Sequence, residues 1–302
     1  MDKPLTDQLR CARLHGRNPP VARKRCFLRV ADQPDGKGWK PSAPQYMPEW
    51  LRMLTTHIPA DWRDLQTAVA SILAQSGFSV QIEKVIQTVR GRAEIDVFGQ
   101  EAVEGRTYTV LCECKNWAAR VPQNVIHGFR TVIGDAGANL GYIISTAGFQ
   151  SGALTAAELT NIRLVTWSEF QAEFEQSWIT HHFRPTLDGR LDTLWRYTEP
   201  IPPYSLLDRL DESAQRAFIG LRETHQPFWS ALFTMFSRFL RMPIPNLPLR
   251  VRFQDVDDSV PAPVLDALGY QDLLDAVLDY GEATLAEFRA VVEQAQKPPK
   301  SE

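Results

Sequence analysis

Two short apolar stretches set the problem that any fold of this chain must solve. Ala93-Glu94-Ile95-Asp96-Val97-Phe98 and Tyr108-Thr109-Val110-Leu111-Cys112-Glu113-Cys114-Lys115 have the alternation or apolar density of β-strands. Each carries carboxylates where a buried strand is normally free of charge. A strand's period of two puts Leu111, Glu113 and Lys115 on one face and Val110, Cys112 and Cys114 on the other. An acid and a base then stand side by side, and the surrounding scaffold has to account for them.

The flanking sequence supplies that scaffold. After Pro59-Ala60, Asp61 is placed to cap a helix in which Trp62, Leu65, Val69, Ile72 and Leu73 recur at spacings of three and four before Gly77. Phe78 to Val89 reads as one long strand or two short ones, Arg90-Gly91-Arg92 as a turn into the Asp96 strand, and Gln100 to Arg106 as the turn into the Glu113 strand. Beyond Trp117, Pro122 opens a helix with Val125, Ile126, Phe129 and Ile133 on one side. Leu140 to Ser145 is a short buried strand, residues 150–160 an Ala-rich helix, Ile162 to Thr166 another strand, and Trp167 to Trp178 a helix with Phe170 and Phe174 inward. The expected fold class is α/β, a mixed sheet flanked by helices.

With 302 residues, 44% of them hydrophobic, the chain has material for one full domain and additions. Residues 1–45 carry about +6 within an overall balance of -3 and read as a basic N-terminal leader. There Arg23, Lys24, Arg25 and Arg29 are candidates for phosphate contacts with nucleic acid, against the alternative of a plain solvated tail. Residues 46–178 hold the α/β region. Pro185, Pro200, Pro202 and Pro203 mark 179–205 as a linker with His181-His182 at its surface, and 206–302 is expected to be a mainly helical C-terminal region. In that region Pro227 is expected to divide Leu206 to Leu240 into two helices, Val251 to Phe253 to form a strand, and Val264 to Gln296 to break near Tyr280-Gly281. No run of ~18 apolar residues occurs, and Met1-Asp2-Lys3-Pro4 lacks a signal-peptide core, so a cytoplasmic location without a membrane partner is expected. Cys11, Cys26, Cys112 and Cys114 fit neither a zinc spacing nor a disulfide framework and read as free thiols.

Asp96, Glu113 and Lys115 thus fall on two neighbouring strands. Two carboxylates and an amine at a strand end suit Mg2+ (or Mn2+), a hard cation that takes oxygen ligands and keeps several waters. The lysine would not ligate it; its ammonium can orient water or offset charge growing on a transition state. Such equipment serves phosphodiester hydrolysis. Taken singly, Glu113 and Lys115 also fit a strand-end salt bridge, and Asp96 a solvated acid.

In this setting Asp96, a gap, and Glu113-Cys114-Lys115 resemble the D…(D/E)xK signature of restriction-endonuclease-like nucleases, and the chain is most similar to their Mrr-like catalytic domain. The preceding helix, the strand order, and Tyr142-Ile143-Ile144-Ser145-Thr146-Ala147-Gly148-Phe149 followed by an Ala-rich helix carry the resemblance across residues 60–172. It implies a restriction-endonuclease-like sheet in which Asp96 and Glu113 hold the metal, the Cys114 backbone carbonyl adds a ligand, and Lys115 serves the attacking water. Mrr-like members often carry a glutamate on the first helix, where this chain has Gln66, and a glutamine where it has Glu113. A neutral Gln66 can hold water but adds no charge. Glu94 lies on the same face as Asp96 by strand parity and is expected to compensate; Asp64 is a more distant candidate, and Gln123 an auxiliary group on the following helix. The resemblance implies a metal-dependent endonuclease with DNA the expected substrate, RNA being left open by the same residues, and with a part in defence against foreign DNA. A homodimer or larger assembly fits the need to cut two strands. The alternative is a catalytically impaired module of the same fold that binds nucleic acid or partners.

Overall fold

Strands β1 (Ser79–Thr88), β2 (Gly91–Val103), β3 (Arg106–Lys115), β4 (Leu140–Ser145) and β5 (Ile162–Thr166) form one five-stranded sheet in that order. The structure is a computed structural model that describes residues 53–237, 243–253 and 260–295. Arg23, Lys24, Arg25 and Arg29, with the rest of the expected basic leader, lie outside the described residues. The pairs β1/β2 and β2/β3 are antiparallel, whereas β3/β4 and β4/β5 are parallel. Local chemistry dictates the change. Glu104 and Gly105 both have positive φ and close the β2–β3 hairpin in two residues, the conformation that matches strand twist. Parallel neighbours need longer crossovers, supplied by α2 (Gln123–Ala136) and α3 (Ser151–Ala157).

The sheet buries both faces. Helix α1 (Trp62–Gln75), capped by the Asp61 side chain on the Asp64 N–H at 2.9 Å, sets Leu65, Val69 and Leu73 against Val97, Val110, Cys112, Cys114 and Ile144. Helix α4 (Trp167–Trp178) adds Phe170 and Phe174 to the same side. On the other face Ile95, Phe98, Leu111 and Ile143 lie under Ile126, Phe129 and Ile133 of α2 and Ala153 of α3. Val110 and Leu111 therefore enter opposite cores, as a period of two demands. A Cβ on Gly141 would lie 2.7 Å from Ile133 Cδ1 and 2.8 Å from Phe129 Cε1, so α2 can lie this close to β4 only over a glycine.

Beyond Trp178 the structure departs from the expected linker. The chain runs through one π turn, Ile179–Phe183, into α5 (Arg184–Thr198), and irregular backbone is confined to residues 199–203. Phe183, Leu187, Leu191 and Leu194 are all buried at helical spacing, and Pro185 sits in the first turn, where its missing N–H breaks no bond. The histidine pair is built into the π turn: the His181 ring meets the Ser177 carbonyl at 2.9 Å, and the half-buried His182 packs on Trp178. After the short α6 (Tyr204–Leu207), α7 (Glu212–Phe236) continues through Pro227. Burial of Phe228, Trp229, Leu232 and Phe233 around that proline offsets the lost backbone bond. A 3-10 turn, Leu249–Val251, replaces the expected strand. The short α8 (Ala262–Asp266) precedes α9 (Tyr270–Ala295), which is unbroken at Gly281. A Cβ on Gly281 would lie 2.7 Å from Leu191 Cδ1 and 3.1 Å from Trp229, so that glycine serves close helix packing and not a break. No described helix is long and apolar enough to cross a membrane.

Candidate active site

The sheet comes apart at one point, and the charged residues occupy it. Pairing of β2 with β3 ends at Val97↔Cys112, although β3 continues for three residues beside β4 as far as Lys115↔Ser145. The N–H of Cys114, which faces the departing β2, donates instead to Asp96 Oδ2 at 2.7 Å. A carboxylate thus stands where a ladder carbonyl would have been. In an extended strand the N–H and C=O of one residue point to the same side, so the Cys114 carbonyl is also turned toward Asp96. Two residues apart on β3, Glu113 and Lys115 share a face, and Lys115 Nζ lies 2.5 Å from Glu113 Oε1. Both side chains are partly buried.

The electrostatics follow from this placement. Burial raises the Glu113 carboxyl above the usual glutamate range, the charge of Asp96 raises it further, and Lys115 only partly opposes them. Burial also drives the Cys112 and Cys114 thiols up, with Asp96 adding to both shifts, so neither is a thiolate. Two acids and one ammonium leave this end of the sheet short of positive charge. Asp96 Oδ1 and Glu113 Oε2 accept no hydrogen bond from the described residues. Among the described residues no group of three or more His, Cys, Asp or Glu side chains could hold a metal. A two-acid site completed by a backbone carbonyl, waters and substrate oxygens is how Mg2+ is ordinarily held.

The other expected residues are dispersed. The β1–β2 register passes from Ile82↔Val97 to Lys84↔Ile95, omitting the step between Glu83 (φ +51°) and Asp96. Ile95 and Phe98 then enter one core and Val97 the other, so alternation fails across Asp96 and parity does not bring Glu94 to it. Glu94 is exposed, opposite Val85, with no hydrogen bond or ion pair among the described residues. Gln66 is buried on α1, which packs on the Cys112/Cys114 face, and makes no hydrogen bond with Glu113 or Lys115. Asp64 is committed to its own loop, accepting the Ala60 N–H at 2.8 Å and meeting His57 at 2.9 Å; both bonds hold its carboxyl below the usual aspartate range. Gln123 is exposed at the start of α2, with its Nε2 3.0 Å from His127 Nε2.

Three residues beside the lysine, Asn116, Trp117 and Thr146, stand in stretches the sequence singled out but had no role assigned there. Asn116 donates through Nδ2 to the Pro59 carbonyl at 3.4 Å and accepts from Thr146 Oγ1 at 2.9 Å, tying the start of α1 and the end of β4 to the end of β3. Trp117 is exposed. The available signal was positional: residues just past the carboxyl ends of adjacent parallel strands line the crevice of an open α/β sheet.

Residues 59–173 match the Mrr-type restriction endonuclease catalytic domain. The match ends within α4 and spans less than half the chain. It takes in Asp96, Glu113, Lys115, Gln66 and the whole sheet, and it makes this segment a nuclease fold. No curated protein matches the chain. Among solved structures, similarity extends to a protein of unknown function, AF1548, at 15% identity over 78% of this chain and 100% of that one, with a TM-score of 0.33. It extends also to the DNA modification-dependent restriction endonuclease AspBHI, at 11% identity over 47% of this chain and 43% of that one, with a TM-score of 0.25.

Proposed function

We propose that the chain is a metal-dependent endonuclease that hydrolyses phosphodiester bonds in DNA, with Asp96, Glu113 and Lys115 as its catalytic residues. The convergence of those three where the β2–β3 ladder opens, inside the Mrr-type match, is the observation that carries this reading. A structural salt bridge would need Glu113 and Lys115 alone; it gives no reason for a second acid that raises the Glu113 carboxyl. Asp96 and Glu113 would hold Mg2+ or Mn2+ with help from the Cys114 carbonyl. When bound, the cation supplies Lewis-acid stabilisation to the scissile phosphate. The Lys115 ammonium, 2.5 Å from Glu113 Oε1, would orient the attacking water and offset charge growing on the phosphoryl oxygens. A role in defence against foreign DNA belongs to the same proposal.

The test is incubation of the full chain with supercoiled plasmid in Mg2+ or Mn2+, beside EDTA and Lys115→Ala controls. Nicking or linearisation is expected with metal, and a loss of roughly 10²–10³-fold in the lysine variant. Equal cleavage by Lys115→Ala would remove the site assignment. No cleavage of DNA or RNA with either metal would leave a module that binds nucleic acid without cutting it.

A further inference from the structure

An exposed tryptophan beside a buried charged site asks for an explanation that packing does not give. The two exposed tryptophans among the described residues are Trp62 and Trp117, each 43% accessible. Trp117 lies two residues past the end of β3. Lys115 Nζ lies over one face of the Trp117 ring, 5.3 Å from its centroid, so a stacking partner would take the opposite face. Trp62 opens α1, three residues after the Pro59 carbonyl that accepts from Asn116, and carries the Arg63 guanidinium 4.5 Å over its ring.

The loop that presents Trp117 is fixed at both ends. Asn116 is held by Pro59 and Thr146. At the far end Val121 bridges Phe149, with Val121 N–H on the Gly148 carbonyl and Gln150 N–H on the Val121 carbonyl, each at 3.0 Å. Gln150 Nε2 also donates to the Arg120 carbonyl at 3.4 Å. A large apolar ring held half in water on so well-anchored a loop keeps its position without ordering cost when a flat partner arrives.

We propose that Trp117 is a stacking platform for an unpaired nucleobase next to the scissile phosphate, and that the substrate is DNA that is single-stranded or locally unpaired at the cut. The inference rests on the nuclease reading above. A phosphate held at Lys115 places its own base about one sugar away, a span comparable with the separation of Nζ and indole. Inside a paired duplex the faces of the bases are covered by their neighbours, so a ring at this position can stack only on a base that is free of the helix. The ring and the ammonium then recognise one nucleotide, the ammonium its charge and the indole its π-face. Trp117 is a positioning residue here and takes no part in bond breaking.

The test separates base from backbone. Binding of the full chain, in EDTA so that no strand is cut, is measured by fluorescence anisotropy for a short oligothymidine, an abasic deoxyribose-phosphate strand of equal length, and a duplex. The intact protein should prefer oligothymidine to the abasic strand by roughly 10-fold, the scale of one base stacked on an aromatic ring. Trp117→Ala should bring the two within about 2-fold, Trp117→Tyr should retain most of the preference, and duplex binding should be unchanged in both variants. A preference that survives in Trp117→Ala, or an equal loss for all three strands, overturns the inference and leaves the nuclease reading standing. Failure of the intact chain to bind any of the strands overturns the inference and leaves the nuclease reading to the plasmid assay with metal.

Discussion

Asp96 has two roles that a pair of substitutions can separate. It accepts the Cys114 N–H at 2.7 Å, closing the ladder where β2 leaves β3, and it supplies negative charge to the proposed metal site. Asp96→Ala leaves a buried N–H without a partner, at a cost of about 1–3 kcal/mol. Asp96→Asn keeps an acceptor oxygen in the same place; it exchanges a charge-assisted bond for a neutral one, a loss of about 1 kcal/mol, and removes the like charge that burdens Glu113. At roughly 2 °C per kcal/mol for a chain of this length, the alanine variant should melt about 2–6 °C lower and the asparagine variant within about 2 °C of the parent. Plasmid cleavage should fall at least roughly 100-fold in both, because neither carries the carboxylate. Thermal melts followed by circular dichroism, together with initial nicking rates in Mg2+, give the comparison. An asparagine variant that cleaves within a few-fold of the parent would reduce Asp96 to a ladder cap. An alanine variant as stable as the parent would show that the Cys114 bond holds nothing.

Glu113 and Gly281 offer two further measurements. Because the folded protein raises the Glu113 carboxyl above its unfolded value, protonation favours the fold: that stability is present below the usual glutamate range and lost as pH rises through the raised folded value. In metal-free buffer Glu113→Gln should therefore be more stable than the parent near pH 7 in urea titration, with the advantage fading below about pH 4; a variant less stable at both pH values would contradict the burial argument. Gly281→Ala, forced against Leu191 and Trp229, should cost about 1–3 kcal/mol by the same titration, and a neutral result would mean that α5, α7 and α9 pack less closely than 2.7 Å implies.

What the sequence disclosed, and what it withheld, divides along local and non-local lines. Elements 62–75, 140–145, 162–166 and 167–178 were legible because each carries its own period, the first with Asp61 as a cap; the strand ending at Lys115 was legible too, but the expected turn over Gln100 to Arg106 shrinks to Glu104 and Gly105 because β2 runs on to Val103 and β3 begins at Arg106. The pairing of Glu113 with Lys115 was legible for the same reason, since parity within one strand needs no partner. Glu94 failed because its face depends on a register step between Glu83 and Asp96 that only the folded hairpin reveals. Pro227 and Gly281 misled in the same manner. Each is a poor helix residue taken alone, and each is held in a long helix by burial against segments distant in sequence.

The same contrast bears on where the functional unit ends. The family match stops at residue 173, and a boundary at 178 looked natural when the following segment read as a linker. Yet the core beneath α1 and α4 continues through Phe183, whose ring lies 4.3 Å from that of Phe236 on α7, and through Leu191 and Trp229. From the other end, the Tyr270 and Gln271 N–H groups at the head of α9 donate to the carbonyls of Met53 and Leu54 at 3.0 and 2.7 Å, and Thr56 Oγ1 donates to Asp272 at 2.8 Å. A fragment of residues 46–178 would expose Leu54 and Trp178 and leave those two carbonyls without their partners. Each fully exposed side chain of that size forfeits about 1.5–3 kcal/mol, a large fraction of a typical net stability of about 5–15 kcal/mol. The fragment should therefore aggregate or melt without cooperativity, whereas the full chain melts in one transition, as size-exclusion chromatography and calorimetry of the two would show. A fragment with a sharp transition near that of the full chain would make the helices an accessory. Without that result, α5, α7 and α9 extend the core that α1 and α4 share with the sheet, through Phe183, Leu191 and Trp229.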